Sequence, residues 1–240
     1  MLYSVTAASP DDVWAVGTSN YPGQGLIEHW DGHRWAWEYL ASAALLRSVA
    51  AVSPTDIWVV GQAYNPADSL GDFTLTLHYD GTAWTHVPSP SPLRLHSQDQ
   101  NWLTSVSGIA SNDVWAVGRV GDHDWGILDQ TITEHWDGSR WTLVSSPNPG
   151  DARENDILWG VAAVTDKDVW AVGSYGNADP YLYPLAEHWD GQAWSQVSAP
   201  SIGQLLGVAA EPRGTGVSAT GDTTGAPTFV GTLAEHLCPA

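Results

Sequence analysis

The sequence predicts an all-β fold of repeated four-stranded antiparallel sheets, and three observations carry that prediction. One hexapeptide recurs almost unchanged: Asp12-Val13-Trp14-Ala15-Val16-Gly17, Asp56-Ile57-Trp58-Val59-Val60-Gly61, Asp113-Val114-Trp115-Ala116-Val117-Gly118 and Asp168-Val169-Trp170-Ala171-Val172-Gly173. An Asp-Gly pair follows each copy, as Asp31-Gly32, Asp80-Gly81, Asp137-Gly138 and Asp190-Gly191. Short apolar runs bounded by turn residues fill the rest, a strand pattern, and no stretch supports a helix. A repeat of this kind is one supersecondary unit that needs its neighbours to bury its apolar face.

Each copy opens on a short strand, Leu-x-Ser/Gly-Val: Leu2-Tyr3-Ser4-Val5, Leu46-Arg47-Ser48-Val49, Leu103-Thr104-Ser105-Val106, Leu158-Trp159-Gly160-Val161 and Leu205-Leu206-Gly207-Val208. A turn follows, as in Ser9-Pro10-Asp11-Asp12, where Pro presets φ and Asp caps nearby backbone. The hexapeptide is the second strand, and its closing Gly is expected to take a positive φ. A third strand ends in Glu28-His29-Trp30, His78-Tyr79, Glu134-His135-Trp136 or Glu187-His188-Trp189, and a fourth is headed by Trp35, Trp84, Trp141 or Trp194. The Asp-Gly pair between them suits a tight hairpin, which needs left-handed backbone. Repeat spacings of about 44 to 57 residues match a four-stranded blade.

Eleven of the 15 tryptophans fall at these recurrent positions. Each buries roughly 150–250 Å², so stacked sheets can hold together without disulfides; the single cysteine, Cys238, permits none within the chain. The last copy, Leu205 to Ala240, has Ser218 where Trp is due and lacks the Asp-Gly pair and fourth strand. A three-stranded last blade with an exposed edge is expected, and with it a monomer or a weak edge-mediated oligomer.

The pattern resembles kelch-type β-propeller blades, and more closely the bacterial repeats with Asp-Val-Trp-Ala-Val-Gly and Glu-His-Trp-Asp-Gly motifs described as galactose-oxidase-central-domain-like. It departs from kelch in having one Gly rather than a pair after the second strand. The resemblance implies a propeller; the five copies, running end to end without a linker, predict one domain of five blades near 2–40, 46–92, 103–150, 158–200 and 205–238. The resemblance does not imply galactose-oxidase chemistry, which needs copper ligands and a Tyr-Cys cross-link; the lone Cys238 sits in the degraded copy.

Eight basic against 27 acidic residues, a formal charge of −19, exclude nucleic acid as a partner, because Lys and Arg must neutralise phosphates. No apolar run of about 18 residues suits membrane insertion. A single lysine, Lys167, with abundant Trp, Ser, Thr and Gly fits a secreted bacterial protein.

Function is expected in the loops from second to third strand and from fourth strand to the next blade, where the copies differ most. Those loops carry Tyr64, Asp122-His123-Asp124-Trp125, Tyr181 and Tyr183. The variable x of Leu-x-Ser/Gly-Val adds Tyr3, Arg47 and Trp159 on the innermost strand. Aromatic platforms among carboxylates and amides suit sugar, so the ligand is read as a glycan or another small polar molecule, with a protein partner as the alternative. Asp122, His123 and Asp124 are metal-ligand types, but adjacent side chains rarely converge; no metal, cofactor or catalytic residue is assigned. The recurrent histidines and aspartates are read as structural: His29 and its counterparts in blade-to-blade hydrogen bonds, Asp12 and its counterparts as turn caps. A polysaccharide-active hydrolase or lyase needs paired carboxylates at the inner strand ends, and only Asp99 and Asp156 lie near them. A non-catalytic binding module leads, ahead of that enzyme and of a structural protein-interaction module.

Overall fold

A computed structural model describes residues 1–19, 23–64, 71–93, 99–122, 127–150, 154–176, 182–199, 203–211, 216–223 and 231–238; the side chains of 41, 42, 122 and 127 fall outside this description. Eighteen strands form among these residues, all in antiparallel pairs of chain neighbours. Unit 1 comprises β1 (Leu2–Ser9), β2 (Asp12–Thr18), β3 (Gln24–Trp30) and the first part of β4 (Trp35–Ser53). The second part of β4 opens unit 2, with β5 (Asp56–Tyr64), β6 (Asp72–Tyr79) and β7 (Trp84–His86). Unit 3 is β8 (Asp99–Ala110), β9 (Asp113–Asp122), β10 (Ile127–Trp136) and β11 (Trp141–Leu143). Unit 4 is β12 (Asn155–Thr165), β13 (Asp168–Gly176), β14 (Leu182–Trp189) and β15 (Trp194–Gln196). Unit 5 has three strands, β16 (Gln204–Ala210), β17 (Val217–Asp222) and β18 (Thr232–Leu237). The continuous β4 was not expected: the other fourth strands stop after three residues, whereas β4 runs from the rim of unit 1 into the interior strand of unit 2.

The second strand is the core of every unit. Trp58, Trp115 and Trp170 are fully buried, and apolar clusters fill the junctions between units 1 and 2, 2 and 3, 3 and 4, and 4 and 5. In three junctions the indole of one unit meets two rings of the next. Trp14 packs on Tyr79 and Trp84, Trp58 on Trp136 and Trp141, and Trp115 on Trp189 and Trp194, at 4.9–5.3 Å between centroids.

The first strands lie side by side from unit to unit, which explains the Ser of Leu-x-Ser. Ser4, Ser48 and Ser105 each accept, at 3.2 Å, the backbone N–H of the valine in the next first strand: Val49, Val106 and Val161. At the last junction Gly160 replaces Ser, and a Cβ there would come within 3.3 Å of the Gly207 Cα. The missing side chain lets the two backbones approach.

The glycine that closes the second strand has a different cause from the one expected. Positive φ belongs to Gly32, Gly81, Gly138 and Gly191 of the Asp-Gly turns, at 86–92°. The strand-closing Gly61, Gly118 and Gly173 are not left-handed; a Cβ there would fall 1.8–2.0 Å from a carbonyl oxygen of the first strand. That approach comes from a bulge next to the x residue, where the register shifts between Leu46 and Ser48 and between Leu103 and Ser105. Gly118→Ala is therefore expected to cost about 3 kcal/mol, read as a lower urea midpoint with an unchanged slope.

The Asp and His assignments also change. Each Asp–His pair lies within one unit: His29–Asp12 and His78–Asp56 at 2.8 Å, His135–Asp113 and His188–Asp168 at 2.9 Å. Trp14 and Trp170 donate their Nε1–H to the same Asp oxygen that bonds the histidine. The imidazole stacks on the indole in units 1 and 2, 3.9 and 4.4 Å away, and lies tilted against it in units 3 and 4. These aspartates hold the second and third strands together beside the core indole rather than capping a turn. The turn caps are Asp31, Asp80, Asp137 and Asp190, each accepting two backbone N–H groups at 2.8–2.9 Å. Those bonds favour the charged carboxylate, and the Ser139 hydroxyl helps hold Asp137 down to about 2.

Candidate functional site

The x residue of Leu-x-Ser is the extra residue of the bulge, and a bulge re-aims its side chain. At Arg47 this turns the guanidinium toward its neighbours at the start of the inner strands. Its Cζ lies 5.2 Å from the Tyr3 ring and 5.7 Å from the Trp102 ring. Its Nε donates to Gln62 Oε1 at 3.3 Å. Beyond Trp102 stands a second guanidinium, Arg119, 3.9 Å above the same indole. The four groups alternate ring and cation across units 1, 2 and 3, an arrangement favoured by the negative face of each ring.

Carboxylates frame the stack. Asp72, at the head of β6, accepts the Trp102 Nε1–H at 2.8 Å. Burial pushes its pKa up, opposed by that bond, the Arg47 charge and Gln62. Arg119 bonds the buried Asp129 and donates to Gln100 Oε1 at 3.1 Å. Arg119 is thus neutralised inside the protein. Arg47 has no ion pair of that kind: Asp72 meets it through charge, among the described residues its two terminal nitrogens make no hydrogen bond, and the side chain is part-exposed. Tyr64 is exposed at the end of β5, and with Gln62, Asp72, Gly23, Ala44 and Leu45 it lines a cavity of about 210 Å³.

Of the expected ligand residues, Tyr3 and Arg47 come together here, and Tyr64 lines the cavity that also takes in Gln62, the hydrogen-bond partner of Arg47. Trp159 and Tyr183 do neither. Trp159 donates toward Ser174 Oγ at 3.4 Å, and Tyr183 stacks on Tyr175 at 5.2 Å, both within unit 4. They were grouped with the others because they occupy equivalent loop or bulge positions, but equivalent positions in a repeat are separated around the arc. His123, Asp124, Trp125 and Tyr181 lie outside the described residues, as does the Asp122 side chain. Among the described residues no cluster of three His, Cys, Asp or Glu is placed to hold a metal.

Trp102, Arg119, Asp72, Gln62, Gln100 and Asp129 were missed. Two signals pointed to them: Trp102 is one of four tryptophans outside the recurrent positions, and Arg119 is one of only eight basic residues. The two carboxyls weighed for an enzyme lie on the first strands themselves, Asp99 heading β8 and Asp156 second in β12. Asp99 and Asp156 are buried, and Asp156 Oδ1 accepts the Gly150 N–H at 2.9 Å.

No family model matches the sequence, and no curated protein matches it. Solved structures do. The α-L-arabinanase of Penicillium chrysogenum, complexed with arabinobiose, aligns with 98% of this chain and 77% of its own at 11% identity, TM-score 0.60. The SapL1 lectin in complex with α-methyl fucoside aligns over 98% and 79% at 14% identity, TM-score 0.56. YCF48 bound to the D1 peptide aligns over 92% of this chain at 13% identity, TM-score 0.53, and this chain spans 60% of its length. All three are β-propeller proteins. The likeness is one of fold. The sheets of this protein are arranged as propeller blades.

Proposed function

We propose that this protein is a non-catalytic binding propeller for carbohydrate, engaged at the start of the inner strands by Arg47, Tyr3 and Tyr64. One observation carries the reading: Arg47 is held between the rings of the exposed Tyr3 and of Trp102, and its terminal N–H groups make no hydrogen bond among the described residues. A guanidinium fixed in this way offers paired donors to a hydroxyl or carboxylate of a sugar, and the tyrosines offer faces to its C–H groups. The propeller neighbours that bind arabinobiose and a fucoside support sugar as the class. The chain is read as one domain of five blades. An extracellular setting fits its single lysine and abundant Trp, Ser and Thr.

A glycan array with the protein and Arg47→Ala tests the proposal. Loss of a charged hydrogen-bond donor is worth about 1.5–3 kcal/mol, so Arg47→Ala is expected to weaken binding about 10- to 100-fold with its melting curve unchanged. Equal binding by both proteins removes the site. New reducing ends released from any bound polysaccharide would convert the reading to an enzyme.

A further inference from the structure

Units 2, 3 and 4 each receive an indole from the unit before. The receiving half is a ring pair, from the end of the third strand and the head of the fourth, and the inserted Trp14, Trp58 or Trp115 meets the fourth-strand ring edge-on at 5.2–5.3 Å. Unit 1 carries the same receiving half, already formed. Trp30 and Trp35 stand 5.9 Å apart at 46°, against 5.9 Å and 48° for Trp136–Trp141 and 6.0 Å and 50° for Trp189–Trp194. Among the described residues no indole sits on it. Trp35 is 48% exposed, whereas Trp141 and Trp194 are 4% and 6% exposed.

The patch extends along that face. Register pairs Glu28 with Trp37 and Leu26 with Tyr39, which puts both rings on the side of Trp35. They touch at 5.1 Å, and Trp37 is 65% exposed. Val5 is 66% exposed and Leu2 is exposed too, while their counterparts Val49 and Leu46, Val106 and Leu103, and Val161 and Leu158 are buried in junctions. Apolar groups are thus exposed on either side of the part-buried Glu28, at the register where units 3 and 4 bury Glu134 and Glu187, and exposure on this scale marks an interaction surface.

Unit 5 is finished differently. Ser218 holds the indole position and Gly207 holds the position of Ser4, Ser48 and Ser105; Ser218 and Thr220 are exposed. Among its described residues unit 5 has no indole to fill the Trp30–Trp35 cradle.

We propose that this face of unit 1 docks a further sheet of the same repeat, one presenting a tryptophan from the centre of its second strand. Three junctions of the chain already contain that complement, and unit 1 differs from them in lacking the insert. A tandem variant, with residues 103–157 repeated directly ahead of Leu2, supplies such a sheet and its connecting segment. The tandem is expected to melt about 5 °C higher and to shield its exposed indoles from iodide quenching. Val5→Asp, neutral in the original chain, removes that gain, as does Trp115→Ser made in the added copy alone. A tandem with unchanged melting and quenching overturns the proposal. So does sedimentation of the original chain as a dimer that Val5→Asp dissolves, which assigns the face to a second copy. Slow hydrogen exchange of β1 in the dilute original chain also overturns it, by assigning the face to unit 5.

Discussion

Trp115→Ala is expected to lower the unfolding free energy by about 3–5 kcal/mol, read as a shifted urea midpoint. The indole is 2% exposed and joins two units. It packs on His135 of its own unit and on Trp189 and Trp194 of the next. Truncation leaves a cavity lined by rigid rings that collapse poorly, because His135 and Trp189 belong to strands paired on both sides and Trp194 packs against Trp189. Trp37→Ala removes an equally large ring from an exposed position and is expected to cost about 0.5 kcal/mol or less. Should both variants melt together, the junction indoles are not what binds one sheet to the next.

The second large effect has the opposite sign. Glu187 lies buried in the junction between units 3 and 4, and neither carboxyl oxygen has a hydrogen-bond partner among the described residues. Burial, with help from the Asp156 charge, pushes its pKa from 4.5 to about 9. The folded protein therefore keeps a proton that the unfolded chain releases. Stability from this group is complete below about pH 4.5 and falls as pH rises toward 9, by up to about 1.4 kcal/mol per pH unit. Burial raises Glu134 as well, at the same position in unit 3, and strengthens the trend. Unit 2 shows what the site tolerates, since Leu77 occupies that register and is buried. Glu187→Leu is expected to gain about 2–4 kcal/mol at pH 8 and to flatten the fall in melting temperature between pH 5.5 and pH 8.5. Parallel melting curves for the two proteins across that range would show that Glu187 is not a buried proton store.

Much of the fold was legible because a repeat states its strand, turn and core positions several times over. Asp-Gly announced the hairpins, since Gly81 and its counterparts need positive φ. The missing Asp-Gly and Ser218 announced a three-stranded last unit. The errors arose where one residue type has two uses. Gly61 closes a strand because a carbonyl stands against it, not because its φ is left-handed. Asp56 pairs with a histidine on the neighbouring strand rather than with its own turn.

The candidate site was half legible. The bulge residues Tyr3 and Arg47 were marked by variation between constant neighbours, but Asp72, Trp102 and Arg119 carry no such mark in any single copy. Trp102 meets Arg47 and Asp72, bringing Arg119 with it, only after units 2 and 3 are laid side by side. The same holds for the unfilled Trp30–Trp35 pair, whose strand pattern matches its counterparts in the later units.

Local pattern was thus enough to specify antiparallel strands, their turns and the tryptophan core, since backbone preference and alternation act over a few residues. Which side chains meet across sheets, and which apolar face is left open, was decided by packing between units. That depends on rings and charges distant along the chain arriving within a few ångströms of one another.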